Sequence, residues 1–105
     1  MLKKIFEFGF AEQFEAEASQ LFVIFSDAER WPADSIARVL VVRSPGYVQV
    51  AFEDRSRATI EVSSLGSGKC QVNVKHELLA DAEASKLQKK AWKNYIGLLR
   101  KQVER

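Results

Sequence analysis

Two hydrophobic periodicities divide this chain. Most of residues 3–77 fall into short segments in which apolar side chains alternate with polar ones, whereas residues 81–104 place apolar side chains three and four positions apart. Alternation is typical of a strand with one buried face, and the longer spacing is typical of an amphipathic helix. The pattern therefore predicts strands first and one long helix at the end.

Short turns join the predicted strands. The strands are Lys3–Phe10, Ile36–Val42, Tyr47–Glu53, Arg57–Ser63 and Cys70–Glu77. The first is expected to continue past an irregularity near Glu12 as far as Ala16. Turn residues stand at 44–46, 54–56 and 66–68, which predicts an antiparallel meander with one buried face. A short helix, Ala18–Phe25, interrupts the strands, and Asp27 offers a cap for the turn after it.

The sequence marks clearly where the last helix begins and which of its faces is apolar. Asp81 is a good N-cap, and Glu83 suits the positive end of the helix dipole. The apolar half is expected to lie on the strands, and it consists of Ala84, Leu87, Ala91, Trp92, Tyr95, Ile96, Leu98, Leu99 and Val103. The opposite, basic half is expected to face solvent, and it consists of Lys86, Lys89, Lys90, Lys93, Arg100 and Lys101.

Length and composition narrow the class of protein. The 105 residues predict one compact domain over 1–105. With 47% apolar residues, the chain can form a hydrophobic core without disulfides or metal ions to stabilise it. A single cysteine, Cys70, fits a reducing compartment and a buried thiol. No apolar run approaches the about 20 residues of a membrane span, so a cytoplasmic protein without membrane insertion is expected.

Charge is unevenly distributed along the chain. Residues 1–35 carry three Lys/Arg and seven Asp/Glu, whereas residues 81–105 carry seven and three, for a net charge of +2 overall. The basic helix face either meets an anionic partner or is simply solvated, and the second interpretation is the simpler one. The aromatic residues of the helix lie on its apolar side, so a nucleic-acid partner is not expected.

Several short motifs resemble the helix-grip fold of the SRPBCC superfamily, also called START-like. The closest branch is the one related to the C-terminal domain of the heat-shock-protein ATPase activator. The motifs are Ser26-Asp27-Ala28-Glu29-Arg30-Trp31, Gly66-Ser67-Gly68-Lys69, His76-Glu77-Leu78-Leu79, the cap Asp81 and Trp92, and segment 50–57 resembles short bacterial members. The resemblance implies an α+β helix-grip fold, in which about five antiparallel strands carry a short N-terminal helical segment and curve around the long C-terminal helix.

The resemblance also implies a ligand cleft between sheet and helix. Fuller members have more strands than this chain, so we expect a cleft that is small or open on one side. The residues expected to line it are Phe8, Phe52, Ile60, Val74, His76, Gln88, Trp92 and Tyr95. Four of them have an alternative interpretation: His76 as a core histidine with a protein partner, Gln88 at the cleft edge or in solvent, and Trp92 and Tyr95, together with Trp31, as plain core.

Motifs for catalysis or cofactor binding are missing. The sequence has no nucleophile elbow or phosphate loop, and one His and one Cys are too few for a metal site without a carboxylate cluster. We therefore expect no catalytic residue, no metal and no cofactor. The favoured function is binding of a small apolar or amphipathic molecule. The alternatives are a protein-interaction module that uses the outer sheet surface or the basic helix face, and a cyclase- or hydrolase-type enzyme. A monomer or a homodimer is compatible with either binding function.

Overall fold

The computed structural model describes residues 6–31 and 36–104. Its elements, in chain order, are β1 (Phe6–Phe14), α1 (Ala18–Ser26), a 3₁₀ turn (Ala28–Arg30), β2 (Ile36–Arg43), β3 (Tyr47–Phe52), β4 (Arg57–Gly66), β5 (Lys69–Leu79) and α2 (Ala82–Val103). The strands and long final helix predicted from the periodicities, and the α+β helix-grip arrangement that the resemblance implies, are confirmed. None of the helices in these two ranges is long and apolar enough to cross a bilayer.

The five strands form one antiparallel sheet in the order β1-β5-β4-β3-β2. Hairpins join β2 through β5 at the three predicted turns, and β1 pairs with β5 along the other edge. The register shift in β1 lies between Phe6 and Phe8, so the irregularity expected near Glu12 is misplaced. The first predicted strand residues, Lys3–Ile5, lie outside the described residues.

Helix α2 is capped and packed largely as its sequence predicts. The Asp81 carboxylate accepts the backbone N–H of Ala84 at 2.8 Å. The helix contacts β1 and β5, and its buried apolar side chains are Trp92, Tyr95, Ile96 and Leu99. The prediction that the whole apolar half packs on the sheet is wrong for Leu87 and Leu98, which are 65% and 59% exposed. Since α2 lies over the β1–β5 side, its flank toward β3 is left uncovered.

Arg100 does not belong to the solvated basic face on which it was predicted. Its guanidinium forms an ion pair with Glu12 at 2.6 Å and donates to the carbonyl oxygen of Gln13 at 2.6 Å. It also lies 4.7 Å from the centre of the Phe14 ring. The end of β1 runs beneath this turn of α2, so Arg100 ties the helix to the edge strand.

Helix α1 closes the other end of the sheet and positions Trp31. It packs against β3, β4 and β5 through Leu21, Ile24 and Phe25. The Asp27 side chain caps the 3₁₀ turn by accepting the N–H of Glu29 at 3.0 Å, as the sequence predicts. After this turn the Trp31 indole lies in the core, where its N–H donates to the carbonyl oxygen of Phe25 at 3.0 Å.

Candidate functional site

An open groove of about 470 Å³ lies between the β3–β4 turn and the uncovered flank of α2. Its floor is aromatic and one rim is aliphatic, while the other rim is polar. We call it the aromatic groove, and the described residues that line it are Trp31, Phe52, Trp92 and Tyr95, then Leu87, Ala91 and Leu98, then Glu53, Asp54, Gln88 and Asn94. The exposure of Leu87 and Leu98 is thus exposure at the mouth of a concave site.

The aromatic floor is tightly assembled. The ring of Trp31 lies 4.9 Å from Tyr95, 5.6 Å from Trp92 and 6.1 Å from Phe52, measured between ring centres. All four residues are almost fully buried. Aromatic pairs at these distances and tilted angles attract each other beyond the burial of their surface. The floor is therefore built before any ligand arrives.

A buried histidine lies behind this floor and fixes one of its rings. The Trp92 indole N–H donates to Nδ1 of His76 at 2.9 Å, and Nε2 of His76 lies 2.7 Å from the Ser56 hydroxyl oxygen. An indole N–H can only donate, so Nδ1 must hold a lone pair. The hydrogen of a neutral imidazole is then on Nε2, which donates to Ser56.

Burial keeps this imidazole neutral. His76 has no exposed surface, and burial lowers its pKa from 6.5 to about 4, although the nearby Asp54 carboxylate acts in the opposite direction. A second proton on Nδ1 would also point at the Trp92 N–H, which is a donor as well. Both ring nitrogens have partners, in agreement with the interpretation of His76 as a satisfied core histidine.

The hydrogen-bond chain continues from His76 to the groove rim. The Ser56 hydroxyl donates to Oδ1 of Asp54, which also accepts the Ser56 backbone N–H at 2.9 Å. The other oxygen, Oδ2, accepts the Gln88 side-chain amide at 3.0 Å. Burial acts to raise the pKa of Asp54, but the hydrogen bonds from Ser56 and Gln88 outweigh it and leave the pKa below its usual value. Asp54 therefore remains a carboxylate at the rim.

Ser56, His76 and Asp54 lie together without forming a catalytic triad. In a triad the histidine accepts the serine proton on Nε2 and the carboxylate binds Nδ1–H. Here Nε2 carries the hydrogen, Trp92 occupies the carboxylate's place, and Asp54 binds the serine directly. His76 therefore has no lone pair with which to activate Ser56. No group of three or more His, Cys, Asp or Glu side chains in residues 6–31 and 36–104 is arranged to hold a metal ion.

The eight residues predicted to line the cleft do not all lie together in the structure. Phe52, Gln88, Trp92 and Tyr95 line the aromatic groove, and His76 lies directly behind it. Ile60 and Val74 are buried in the core at 0% and 3% exposure, and neither is among the described lining residues. Phe8 lies on the far side of α2.

The far side of α2 holds a second groove, of about 430 Å³, along the edge strand. We call it the β1 groove, and its described lining residues are Phe8, Gly9, Phe10, Glu12, Lys89, Trp92, Lys93 and Ile96. The Lys89 ammonium lies 5.5 Å from the centre of the Phe8 ring, a cation–π distance. Trp92 lines both grooves, so α2 separates a carboxylate-bearing site from an ammonium-bearing one.

Tyr95 contributes an unusual polar group to the aromatic groove's wall. The residue is 94% buried, since 6% of its surface is exposed, and its hydroxyl has no hydrogen-bond partner within the described part of the chain. Burial raises the pKa of this phenol well above its usual value. Buried hydroxyls are normally paired, so this oxygen keeps hydrogen-bonding capacity that the described residues do not use.

Sequence reasoning missed Ser56 and the rim leucines Leu87 and Leu98, and it favoured plain core for Trp31, which lines the groove. The sequence did contain a signal for Ser56. An Asp in a turn, here Asp54, favours a hydrogen bond from its carboxylate to the backbone N–H two residues later, which is that of Ser56. Its contact with His76 follows from the β4–β5 register, in which Ala58 lies opposite His76. The rim leucines had no signal, because their exposure depends on where α2 lies on the sheet.

Comparisons with known proteins identify the fold. No protein-family model matches the chain, and no curated protein matches it. Among solved structures, an AHSA1-like protein from Rhizobium etli superposes with a TM-score of 0.71 at 16% identity, over 92% of this chain and 81% of that one.

Two further structures share the architecture. An uncharacterised protein from Bacillus thuringiensis gives a TM-score of 0.57 at 12% identity, over 91% of this chain and 97% of that one. A norcoclaurine synthase point mutant from Thalictrum, in complex with a transition-state analogue, gives 0.54 at 12% identity, over 97% and 98%. The predicted resemblance is thus confirmed at the level of the fold: the chain has the helix-grip fold, in an arrangement like that of an AHSA1-like protein.

Proposed function

We propose that this protein binds a small apolar or amphipathic molecule in the aromatic groove without transforming it. The observation that carries the proposal is the combination of a preassembled aromatic floor with two largely exposed leucines, Leu87 and Leu98, at its mouth. Ligand sites are typically concave and apolar with a few polar groups, and a volume of about 470 Å³ suits a molecule of one or two rings.

The hydrogen bonds around His76 favour binding over catalysis. The imidazole is neutral and its Nε2 carries the hydrogen, so His76 cannot act as the base for Ser56, whose side chain is itself fully buried. Instead, the histidine holds Trp92 in one orientation, which is useful for a binding wall. The distant likeness to norcoclaurine synthase is one of fold and brings no reaction to this chain.

The test uses a neutral aromatic probe, naphthylmethanol, and backbone amide chemical shifts. We expect saturable shifts at Phe52, Trp92 and Tyr95 and quenching of the intrinsic fluorescence, because both tryptophans of the chain line the groove. Leu98→Gln should weaken binding by about tenfold, since it removes apolar surface that the probe would cover. Saturation without shifts at these residues would refute the site.

The control substitution is Leu65→Gln. Leu65 is 48% exposed on β4 and lies outside both grooves, so the same chemical change there should leave the affinity unaltered. Equal weakening by Leu65→Gln and Leu98→Gln would show that the effect is not local to the groove.

A second candidate, a protein-interaction module, is favoured by the same two exposed leucines. If a second copy of the chain covers them, sedimentation should show a mass that rises with concentration. Leu87→Gln should then restore the monomer, while Leu65→Gln should not. A monomer at all concentrations that binds the neutral probe would favour the small-molecule function.

A further inference from the structure

We propose that the ligand of the aromatic groove is an organic cation, a molecule with an aromatic or aliphatic body and a protonated amine. This inference rests on the proposed function and adds the sign of the ligand's charge. The described residues that line the groove include two acidic side chains, Glu53 and Asp54, and no Lys or Arg.

The two carboxylates are not neutralised by the protein. Neither Glu53 nor Asp54 has an ion-pair partner in the part of the chain that the structure describes. Hydrogen bonds from Ser56 and Gln88 stabilise the charged form of Asp54. The rim therefore carries negative charge that a bound ammonium would balance.

The floor favours the same kind of ligand. The faces of Trp, Tyr and Phe rings attract cations within about 6 Å, most strongly for Trp, and four such residues form this floor. The carboxylate rim and the aromatic floor therefore both suit a ligand with positive charge.

The β1 groove makes the assignment specific to one side of α2. It has a similar volume and also uses Trp92, but its rim carries Lys89 and Lys93. The one acidic side chain among its described lining residues, Glu12, is paired with Arg100 at 2.6 Å. An ammonium should avoid this side. The sign of a ligand's charge should therefore decide on which side of Trp92 it binds.

The test compares three probes that share a naphthylmethyl body: naphthylmethylamine, naphthylmethanol and naphthylacetate. We expect the ammonium probe to bind the aromatic groove more tightly than the alcohol by about fivefold or more at low salt, with the carboxylate weakest. The preference should shrink at high salt, because the rim is solvent-exposed. Chemical shifts should place the ammonium probe at Phe52 and Tyr95, not at Phe8 and Phe10.

Glu53→Gln tests the charge without disturbing the fold, since Glu53 is exposed and forms no described hydrogen bond. It should reduce the affinity for naphthylmethylamine about threefold or more, and that for naphthylmethanol by a clearly smaller factor. Glu61→Gln, an exposed carboxylate on β4 outside both grooves, should change neither.

The outcomes separate the two proposals. Equal binding of the ammonium and alcohol probes in the aromatic groove, or an unchanged preference in Glu53→Gln, would overturn the cation assignment and leave the binding function standing. Failure of all three probes to shift the groove residues would overturn both.

Discussion

His76 should titrate near pH 4, far below an ordinary histidine, and its titration should govern stability in mild acid. It is the only histidine of the chain, so one resonance reports the effect without ambiguity. Burial lowers its pKa from 6.5 to about 4, with the Asp54 carboxylate opposing the shift. The Trp92 N–H on Nδ1 and the Ser56 oxygen on Nε2 both suit the neutral ring.

The sign follows from where the proton binds. Between pH 6.5 and about 4 the unfolded chain holds a proton on His76 that the folded chain does not, so the free energy of unfolding falls as the pH falls. The full shift, from 6.5 to about 4, corresponds to at most about 3 kcal/mol at about 1.4 kcal/mol per pH unit. About 2 kcal/mol of this should be lost between pH 7 and pH 5. The pKa of Asp54 is lowered from its ordinary value of 3.8. The stability that this carboxylate contributes is therefore lost only below pH 3.8.

The assay is urea unfolding followed by tryptophan fluorescence between pH 7 and pH 5, with the imidazole resonance followed by NMR over the same range. His76→Gln is the matched control, because an amide can accept from Trp92 and donate to Ser56 but does not titrate. Its stability should vary much less over this interval. An imidazole pKa near 6.5, a hydrogen on Nδ1, or the same pH dependence in His76→Gln would refute the reasoning.

Three further substitutions test the fold around this site. Trp92→Phe should lower the free energy of unfolding by about 2 kcal/mol and raise the pKa of His76, because Nδ1 loses its donor; NMR titration and urea unfolding measure both. Gly46→Ala should lower the melting temperature by several degrees, since a Cβ there would lie 2.1 Å from the carbonyl oxygen of Val62. Arg100→Met should cost about 1 kcal/mol at low salt and less at high salt, and equal losses at both would contradict an electrostatic role.

Local features of the sequence were sufficient for the elements of the fold. All strands but β2 show an alternation, β2 is mostly apolar, each hairpin has its turn residues, and α2 has its cap at Asp81. These signals lie within a few residues of the structure they determine. The order of the elements then left few arrangements, and the motifs resembling the SRPBCC superfamily selected one of them.

The site could be predicted only in part, because its geometry depends on contacts between distant segments. That Trp92 and Tyr95 face the sheet follows from helical periodicity, and both line the groove. The contact between Ser56 and His76 depends on the β4–β5 register. The hydrogen bond from Trp92 to His76 depends on the position of α2 along the sheet. Ile60 and Val74 have the correct strand face, but they lie deeper in the core than the groove.

The polar side chain of His76 at the centre of this core is explained by the two groups to which it is hydrogen-bonded. An apolar side chain in place of His76 would fill the space, but it would leave the Trp92 N–H and the Ser56 hydroxyl to find other partners in a dry interior. The neutral imidazole supplies one acceptor and one donor in a fixed direction, and so connects the β3–β4 turn to α2 through two hydrogen bonds. Satisfied polar networks of this kind select one geometry among many apolar packings. Here the selected geometry is that of the Trp92 indole, which lines the carboxylate-bearing groove on one side of α2 and the ammonium-bearing groove on the other.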